Sequence, residues 1–499
     1  MPLIIELQGH REEAALSDAA RAFFGDFKDL GQGRFEVPAD RDFTVLSEVC
    51  PPISNEEVRR ASRKGASDRF VTVGTRVLEG GKEGISEKVP LHEVRRVLKR
   101  QLYHVLSRES GISFPWGTLT GVRPTRIALD LILAKGEDQA RRELEDYWYL
   151  SPEKADLAVR TARAEEDILS SFQPGDCLLY AGLPFCPSRC LYCSFITQDA
   201  GRQEDSLESY VSAVIREAGG ILTGDFSGRI RAVYFGGGTP TSLPAGLFRR
   251  YLEGVMSRVP DYEGLEKTME AGRPDTIDRE KLTIIREFGF NKLCINPQTM
   301  NEATLKRIGR GHTARETVDA FRLARSEGFT DINMDLIAGL PGEDAADFLD
   351  SLDQLLALGP ESITLHTLAV KKGSYLDRLF TDRDALMPDP ELIGAVGEAH
   401  GHLLREGYRP YYLYKQKNCR SGLENTGFTR RKPSLYNVGM MSDQVPVVGL
   451  GSGSSSKAIL EETACRIHNP KDLMLYRDRV EEQILKKREL LSDFFTKAD

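Results

Sequence analysis

The sequence predicts an α/β protein built around a partial barrel of six strand and helix units, a (βα)6 barrel. The main observation is a change of pattern near residue 171. From there on, short apolar runs alternate with longer amphipathic stretches about six times, which is typical of a parallel sheet with right-handed crossovers. A second observation is that glycine-rich and polar residues directly follow several apolar runs, where α/β enzymes keep their sites.

Each predicted strand is a short apolar run bounded by turn residues, and each predicted helix repeats apolar residues every three or four positions. Strands are expected at 178–183, 230–235, 265–270, 292–296, 331–338 and 362–368, with a less regular one at 408–414. Helices between them are expected at 206–222, 245–257, 278–288, 314–328, 344–356 and 390–406.

The 499 residues exceed one ordinary core, so the length predicts two or three domains, and the pattern along the chain favours three. Residues 1–170 are interpreted as an α+β domain, because strand-like runs at 2–7, 43–49 and 69–78 precede helical periodicity at 91–107 and 155–170. Residues 171–415 carry the partial barrel. Residues 416–499 form a C-terminal extension, with a turn against neighbouring backbone at 449–456 and a closing helix at 470–490. The role of residues 1–170 stays open.

Composition excludes several classes of protein. Hydrophobic residues make up 40% of the chain and charged residues 28%, as in globular proteins, and the net charge of −8 argues against a nucleic-acid partner. No apolar run reaches the ~18 residues that a membrane span needs. The opening residues are too few and too soon acidic for a signal peptide, so we expect a cytoplasmic protein. The eight cysteines are too irregularly spaced for a disulfide framework.

Three cysteines, Cys186, Cys190 and Cys193, form a C-x3-C-x2-C motif just after the predicted strand 178–183. Three thiolates in one loop can face a common point, and soft thiolates suit iron–sulfur clusters or zinc. A structural zinc site requires four ligands, whereas a [4Fe–4S] cluster with three cysteines leaves one iron open to another ligand. The motif therefore favours a metal centre with one position to spare.

The segment Tyr180-Ala-Gly-Leu-Pro-Phe-Cys-Pro-Ser-Arg-Cys-Leu-Tyr-Cys193 resembles the cluster loop of the radical S-adenosylmethionine (SAM) superfamily. Its lead-in, from Tyr180 to Cys186, is similar to that of the oxygen-independent coproporphyrinogen III dehydrogenases. The resemblance implies a [4Fe–4S] cluster held by the three cysteines and SAM bound to the open iron by its amino and carboxylate groups. It also implies that one electron from the cluster cleaves SAM into methionine and a 5′-deoxyadenosyl radical.

Later strand ends match further motifs of this superfamily in the same order. Phe235-Gly-Gly-Gly-Thr-Pro-Thr241 resembles the glycine motif that receives the SAM amino group, and side-chain-free backbone suits such close contact. The other matches are Glu270 and Gln298 as SAM contacts, Arg310 against the methionyl carboxylate, Asp335 at the ribose and Tyr192 against adenine. The glycine motif carries over to Gly236, Gly237, Gly238 and Thr239. Tyr180 matches a SAM contact beside the cluster, and a catalytic role is expected for it.

Two of these residues also stand out by their chemistry. Asp335 lies inside an apolar run, where a carboxylate is costly unless it has a partner. Arg310 carries a planar fork that can pair with a carboxylate through two hydrogen bonds. A polar residue at the end of a strand is common, so the prediction depends on the order of the whole set.

Within the superfamily the chain most resembles the HemZ-like branch, through "GTLTGVRPTRI" at 117–127 and "SLYNVGMMSD" at 434–443. The resemblance implies oxygen-independent conversion of two coproporphyrinogen III propionates to vinyl groups, giving protoporphyrinogen IX. It implies a tetrapyrrole substrate or haem, a flavodoxin- or ferredoxin-type electron donor, and a HemN-like substrate-side domain at 416–499. Phe195 stands where the dehydrogenases have a fourth cysteine, and haem chaperones share that aromatic. A haem chaperone and a haem-modifying radical SAM enzyme therefore remain alternatives.

A substrate with several carboxylates also suggests that cations surround the mouth of the barrel. The candidates are Lys371, Lys372, Lys415, Lys417, Arg420, Arg430 and Arg431. For each of them a solvated surface position is the simpler interpretation.

Overall fold

The structure of the chain is a computed structural model. The structure describes residues 2–13, 16–17, 20, 23, 28–31, 33–38, 43–64, 69–78, 84–119, 121–193, 198–199, 204–224, 226–370, 375–376, 386–416, 419–460 and 463–496. The chain divides into two compact units, one of residues 1–159 with 421–423 and one of residues 160–420 with 424–499. None of the described helices is long and apolar enough to cross a membrane.

The first unit contains a six-stranded sheet with the order β2-β3-β1-β4-β5-β6. The strands are β1 (Pro2–Gln8), β2 (Lys28–Gly31), β3 (Arg34–Pro38), β4 (Phe43–Cys50), β5 (Phe70–Val77) and β6 (Ile85–Pro90). Its helices are α1 (Asn55–Lys64), α2 (Val94–Ser110), α3 (Pro124–Lys135), α4 (Glu137–Asp146) and α5 (Pro152–Leu169), which continues into the second unit. Apolar side chains of the sheet, α1 and α2 form one core. The predicted α+β character of this part is confirmed.

The second unit is organised by one sheet of eleven strands. Six of them are parallel and follow one another along the chain: β7 (Asp176–Leu183), β10 (Arg229–Gly237), β11 (Glu266–Glu270), β12 (Lys292–Cys294), β13 (Ile332–Ala338) and β14 (Ser362–Thr367). Between β7 and β10 the two-residue strands β8 (Phe185–Cys186) and β9 (Gln198–Asp199) pair with each other. All six predicted strands of the barrel are therefore present within a few residues of their expected bounds.

Helices connect these strands as the sequence predicts. They are α6 (Glu204–Ile221), α7 (Ala245–Met256), α8 (Arg279–Glu287), α9 (Glu302–Arg307), α10 (Ala314–Ser326), α11 (Ala345–Leu358) and α12 (Asp389–Arg405). Local signals set their starts. Thr313 with Glu316 and Asp344 with Asp347 form capping boxes before α10 and α11, which satisfy backbone N–H groups that a helix start leaves unpaired.

The end of the chain extends this sheet on both sides. The additional strands are β15 (Arg409–Lys415), β16 (Glu424–Thr429), β17 (Val447–Leu450), β18 (Ser455–Leu460) and β19 (Thr463–His468), and the helices are α13 (Leu435–Met441), α14 (Leu473–Asp478) and α15 (Val480–Thr496). β16 lies antiparallel between β14 and β15, and β17 pairs in parallel with β7. The single closing helix predicted at 470–490 is two helices that meet near Arg479.

The turn predicted at 449–456 is a close approach of backbone to backbone. A side chain at Gly449 would place its Cβ 2.6 Å from the carbonyl oxygen of Ser455, and one at Gly451 would place it 2.4 Å from that of Gly182. Gly451 also has φ of +91°. Only glycine fits these contacts without displacement, as the prediction requires.

A buried ion pair ties α15 to α6. Lys487 Nζ donates to Glu217 Oε1 at 2.6 Å, and both side chains are fully buried. Glu217 also accepts from Tyr476, Asn469 and the backbone N–H of Gly451. Buried carboxylates are costly unless every lone pair is used, and this network uses them.

Replacement of Lys487 by Met is expected to lower the free energy of unfolding by about 3–5 kcal/mol, because it leaves the Glu217 charge buried and unpaired. Denaturant unfolding of the purified chain measures this value. The matched control is Lys486→Met, which removes an exposed ion pair with Glu482 and should cost less than about 1 kcal/mol. Equal losses in the two variants would contradict the expectation.

Candidate active site

The parallel strands end at a cavity of about 330 Å³, within the range of small-molecule pockets. Its described lining includes the predicted residues Tyr192, Cys193, Glu270, Gln298 and Asp335. Further lining residues are Tyr234, Cys294, Asn296, Asn333, Ile337, Thr364, His366, Thr367, Leu368, Ala369, Tyr412, Tyr414, Gln416, Asn425 and Asn437. Described residues from seven strands and one helix thus meet in the place where a parallel sheet keeps its site.

The glycine motif at the end of β10 is held against the end of β7 by backbone hydrogen bonds. Pairing continues to Gly237 opposite Leu183, after which the N–H of Gly238 donates to Leu183 O at 2.6 Å. Gly237 has φ of +104°, and a Cβ at Gly238 would lie 2.4 Å from Phe185 O. The conformation and the close packing both require glycine. The motif therefore lies directly against the cysteine loop.

The three cysteines lie within the loop that follows β7. Cys186 Sγ lies 3.4 Å from Thr239 Oγ1, Cys190 is buried, and Cys193 lines the cavity. Burial raises the pKa of the Cys186 thiol to about 12. Among the described residues no group of three His, Cys, Asp or Glu side chains is arranged to hold a single metal ion. A cubane cluster offers each cysteine a different iron, so its ligands need not converge on one atom.

Glu270 ends β11 beside the glycine motif. The N–H of Gly237 donates to its Oε2 at 3.2 Å, and a Cβ at Gly236 would lie 2.3 Å from the same oxygen. Burial raises the pKa of Glu270 to about 7, and the negative charge of Asp335 contributes to this shift. Two carboxylates at one end of the cavity create a region that favours a cationic or donor-rich ligand.

Gln298 follows β12 in an unusual backbone conformation. Its φ is +73°, which is rare for a residue with a side chain, and its N–H donates to Asp335 O at 3.0 Å. Its side-chain oxygen and that of Asn296 are buried and have no hydrogen-bond partner among the described residues. Strain and unpaired polar atoms are costly, and they concentrate at functional sites. Both side chains line the cavity, so a ligand there could satisfy them.

Asp335 is held from two sides. Asn333 Nδ2 donates to its Oδ1 at 2.7 Å, and His366 Nε2 lies 3.6 Å from its Oδ2. His366 Nδ1 lies 3.1 Å from Asn425 Oδ1, which also accepts the Thr367 N–H at 3.2 Å. Because Asn425 Oδ1 can only accept hydrogen bonds, His366 Nδ1 must carry the proton and donate it to this oxygen. Burial lowers the pKa of His366, but the hydrogen bond and charge of Asp335 outweigh it and raise that pKa overall.

Arg310 connects Tyr192 of the cysteine loop to backbone that follows β11 and β12. Arg310 Nη1 donates to Asn296 O at 2.7 Å and to Gly272 O at 3.2 Å, and its Nη2 donates to Tyr192 Oη at 3.1 Å. The guanidinium is buried, and its Nε has no partner among the described residues. An additional acceptor is therefore needed to satisfy this group.

Tyr180 lies on β7 within a stack of three tyrosines. Its ring centroid is 6.3 Å from that of Tyr234 and 6.4 Å from that of Tyr436. Its hydroxyl would be 2.9 Å from a Cβ at Gly237. Burial, with the nearby charge of Glu270, raises the pKa of the phenol, so that it remains protonated at neutral pH.

The predicted ring of cations is wrong for Arg430 and Arg431. Arg430 bonds to the backbone of Pro360 and Glu361, and Arg431 lines a second cavity with Glu266 and Asp331. These neighbours lie where the parallel strands begin, so both arginines are at the opposite end of the sheet from the candidate site. Because the chain reverses through β16 before it reaches them, sequence order gave no sign of this.

The remaining candidate cations have other environments. Lys415 is buried, and Arg420 Nη2 donates to Asp389 at 2.8 Å. Lys371, Lys372 and Lys417 lie outside the described residues, as does Phe195. Among the described lining residues, His366 is the group that can carry a positive charge.

Sequence reasoning missed Arg273, Asn296 and His366. Asn296 and His366 are polar residues at strand ends, as Glu270 and Gln298 are. Arg273 follows Glu270 in "EAGRPDTI" and contacts the cysteine loop, which no local pattern indicates. Cys294, a buried thiol at the end of β12, also lines the cavity.

Comparisons with known proteins support the class that the fold and site suggest. The model of the radical SAM superfamily matches residues 180–355. The chain is 35% identical, over 83% of its own length and 84% of the relative, to the oxygen-independent coproporphyrinogen-III oxidase-like protein HemZ of Bacillus subtilis. It is 30% identical to the heme chaperone HemW of Escherichia coli, over 47% of this chain and 60% of that one.

The fold is also similar to a solved structure, that of coproporphyrinogen III oxidase (HemN) from Escherichia coli. The TM-score is 0.52 at 22% identity, over 65% of this chain and 73% of that one. Fold, site and family model together define the class as radical SAM proteins. Within that class, the chain belongs to the family of HemZ-like, oxygen-independent coproporphyrinogen-III oxidase-like proteins.

The cofactors of this superfamily are a [4Fe–4S] cluster and SAM, and the residues present fit them. The thiols of Cys186, Cys190 and Cys193 would supply three soft ligands to the cluster and would leave one iron for SAM. The unpaired oxygens of Asn296 and Gln298 and the two carboxylates favour the ammonium and hydroxyl donors that SAM carries. The glycine motif has no side chains between its backbone and the cysteine loop, so its backbone groups can come close to a ligand there.

The raised pKa of Glu270 predicts how stability depends on pH. Between the unfolded pKa near 4.5 and the folded pKa near 7, the unfolded chain loses this proton while the folded chain keeps it. The contribution of Glu270 to stability is therefore present at low pH and is lost as the pH rises to about 7, with each pKa unit worth about 1.4 kcal/mol.

Glu270→Gln should remove this loss, so that the variant gains stability relative to the wild type as the pH rises from about 5 to about 7. Denaturant unfolding of both proteins across this range measures the difference. Glu208→Gln, at an exposed position on α6, is the control and should give a flat difference. A flat difference for Glu270→Gln would contradict the prediction.

Proposed function

We propose that the protein converts two propionate groups of coproporphyrinogen III to vinyl groups without oxygen, giving protoporphyrinogen IX. The observation that carries this proposal is the meeting of the cysteine loop, the glycine motif and a carboxylate-lined cavity at one end of the parallel strands. The names of HemZ and HemN add support from relatives that match most of their length.

In this proposal, Cys186, Cys190 and Cys193 hold the cluster. SAM is bound by Gly236, Gly237, Gly238, Thr239, Glu270, Gln298, Arg310, Asp335, Tyr180 and Tyr192. Glu270 receives the amino group of SAM, Arg310 offers its unpaired Nε to the carboxylate, and Asp335 receives the ribose hydroxyls. Tyr180, which stays protonated, is proposed as the catalytic residue beside Gly237.

Each propionate must lose one hydrogen atom from its β carbon, one CO2 and one electron to become a vinyl group, and a one-electron acceptor must take up that electron. When bound, the cluster and SAM supply the radical that removes the hydrogen atom. The chain supplies position and exclusion of water. Tyr234, Tyr412 and Tyr414 line the cavity with aromatic surface. Asn425 Nδ2 donates to Tyr414 O and Asn437 Nδ2 to Tyr411 Oη, so each keeps its second N–H for carboxylates that do not react.

A haem chaperone is the second candidate function. The match to HemW favours it. The lining of the cavity also favours it, because among the described lining residues His366 alone could carry a positive charge, whereas coproporphyrinogen brings several carboxylates that need pairing. A protein that modifies haem itself would be a third outcome of the same test. In each case a flavodoxin- or ferredoxin-type protein is the proposed electron donor, and no membrane or nucleic acid is involved.

The test is anaerobic incubation of the reconstituted full-length protein with SAM, dithionite and coproporphyrinogen III. The proposed function requires that protoporphyrinogen IX and CO2 form together and depend on SAM. Haem binding without turnover would replace it by the chaperone function. A methylated or linear tetrapyrrole, formed from haem in a parallel reaction, would indicate the third function.

The cysteine ligands can be tested without activity. Cys186→Ala, Cys190→Ala and Cys193→Ala should each remove the iron–sulfur absorbance near ~410 nm from the anaerobically reconstituted protein. Cys177→Ala is the matched control, because this thiol is buried on β7 outside the loop, and it should keep the band. Persistence of the full band in all three loop variants would rule out the ligand assignment.

Gly237→Ala should weaken SAM binding by tenfold or more. At φ of +104° an L side chain is strained by about 1–3 kcal/mol, and its Cβ would crowd the Tyr180 hydroxyl at 2.9 Å, so the turn must shift. Anaerobic equilibrium dialysis with SAM measures the dissociation constant. Gly246→Ala on α7, where nothing lies within 4 Å of an added Cβ, should leave it unchanged.

A further inference from the structure

Arg273 is a second buried arginine beside the cysteine loop, and neither the cluster ligands nor the SAM contacts proposed above include it. It lies three residues after the end of β11 and is 3% exposed. A buried guanidinium is costly unless its donors are used, so its contacts should show what holds it there.

One half of the guanidinium is held by Asp275. Arg273 Nε donates to Oδ1 at 3.0 Å and Nη2 donates to Oδ2 at 3.0 Å, which is the two-bond geometry of a strong arginine–carboxylate pair. Burial raises the pKa of Asp275, but Arg273 outweighs this and holds that pKa below its usual value. The carboxylate is therefore charged at neutral pH, and the arginine is fixed in orientation.

The other half of the guanidinium points at the cysteine loop. Nη1 donates to Ser188 Oγ at 3.1 Å and lies 3.7 Å from Cys190 Sγ, within hydrogen-bond range for sulfur. Ser188 Oγ in turn donates to Gly309 O at 3.0 Å, which leaves its lone pair free to accept. The Arg273–Asp275 pair is thus a dipole whose positive end lies on a cysteine sulfur.

The other charged groups nearby do not replace this effect. Arg310 is held by Tyr192 and by two backbone carbonyls. Burial, together with the charge of Arg310, lowers the pKa of His312 to about 3, so that its ring is neutral at physiological pH. Arg273 makes a cationic hydrogen bond to Cys190 Sγ.

We propose that Arg273 raises the reduction potential of the cluster that Cys190 helps to hold, and so makes its one-electron reduction attainable for a protein electron donor. This inference rests on the proposed function. Reduction adds one negative charge to the cluster, and a fixed positive charge in hydrogen-bond contact with a ligand sulfur stabilises the reduced form. Burial keeps water from screening the interaction.

The experiment is a redox titration of the anaerobically reconstituted full-length protein with dithionite, followed by electron paramagnetic resonance of the reduced cluster. Arg273→Gln should shift the midpoint potential to a more negative value at unchanged iron content. Arg273→Lys keeps a charge but loses the fork, so its potential should lie between those of Arg273→Gln and the wild type.

The matched control is Arg325→Gln. Arg325 also pairs with a carboxylate, because its Nη2 donates to both oxygens of Glu361, at 2.9 and 2.7 Å. This pair lies where β14 begins, away from the cysteine loop. Its loss should leave the midpoint potential unchanged. A shift as large as that of Arg273→Gln would attribute the effect to general loosening of the fold and overturn the proposal.

Two other results would overturn it. Equal potentials in the wild type and Arg273→Gln would show that the contact does not affect reduction. Loss of the cluster from both Arg273 variants would assign the arginine to building the loop. Failure of the wild type to take up any cluster would instead contradict the proposed function itself, so the two proposals can be distinguished.

Discussion

The parallel pairing of β7 with β10 is the constraint on which the candidate site depends. Its register places Gly236 beside Gly182 and Gly237 beside Leu183. Hydrogen bonds from Gly238 and Thr239 then continue the contact into the loop that carries Cys186. A shift of one residue would turn each side chain to the other face of the sheet. The cysteine loop and the glycine motif are therefore positioned relative to each other by backbone hydrogen bonds.

The cavity beside this junction contains carboxylates and polar oxygens that the described side chains do not fully pair. Glu270 and Asp335 bring two carboxylates to one end, while the oxygens of Asn296 and Gln298 lack partners among the described residues. Gln298 holds a strained backbone conformation in addition. Such costs reduce the stability of the empty protein, and a donor-rich ligand would offset them. The same features that destabilise the site make it selective for a ligand of that kind.

Two buried arginines contact the cysteine loop, and each is oriented by a different partner. Arg310 is held by backbone carbonyls and Tyr192, which leaves one donor open, whereas Arg273 is held by Asp275 and faces Cys190. Buried ion pairs contribute little net stability, because desolvation cancels most of the attraction. The placement of the Arg273–Asp275 pair beside this loop is therefore better explained by function than by folding.

The sequence by itself determined the barrel and most of the candidate site. Alternating apolar runs predict parallel strands, and Cys186 follows the end of such a run, while Gly237, Glu270 and Asp335 are placed by the resemblance of their motifs to the radical SAM superfamily. Tertiary structure alone decided what depends on contacts between distant residues. The insertion of β16, the bond from Arg273 to Cys190 and the link from Asn425 through His366 to Asp335 are of this kind. Local patterns report which face a side chain occupies, but not which distant group it meets.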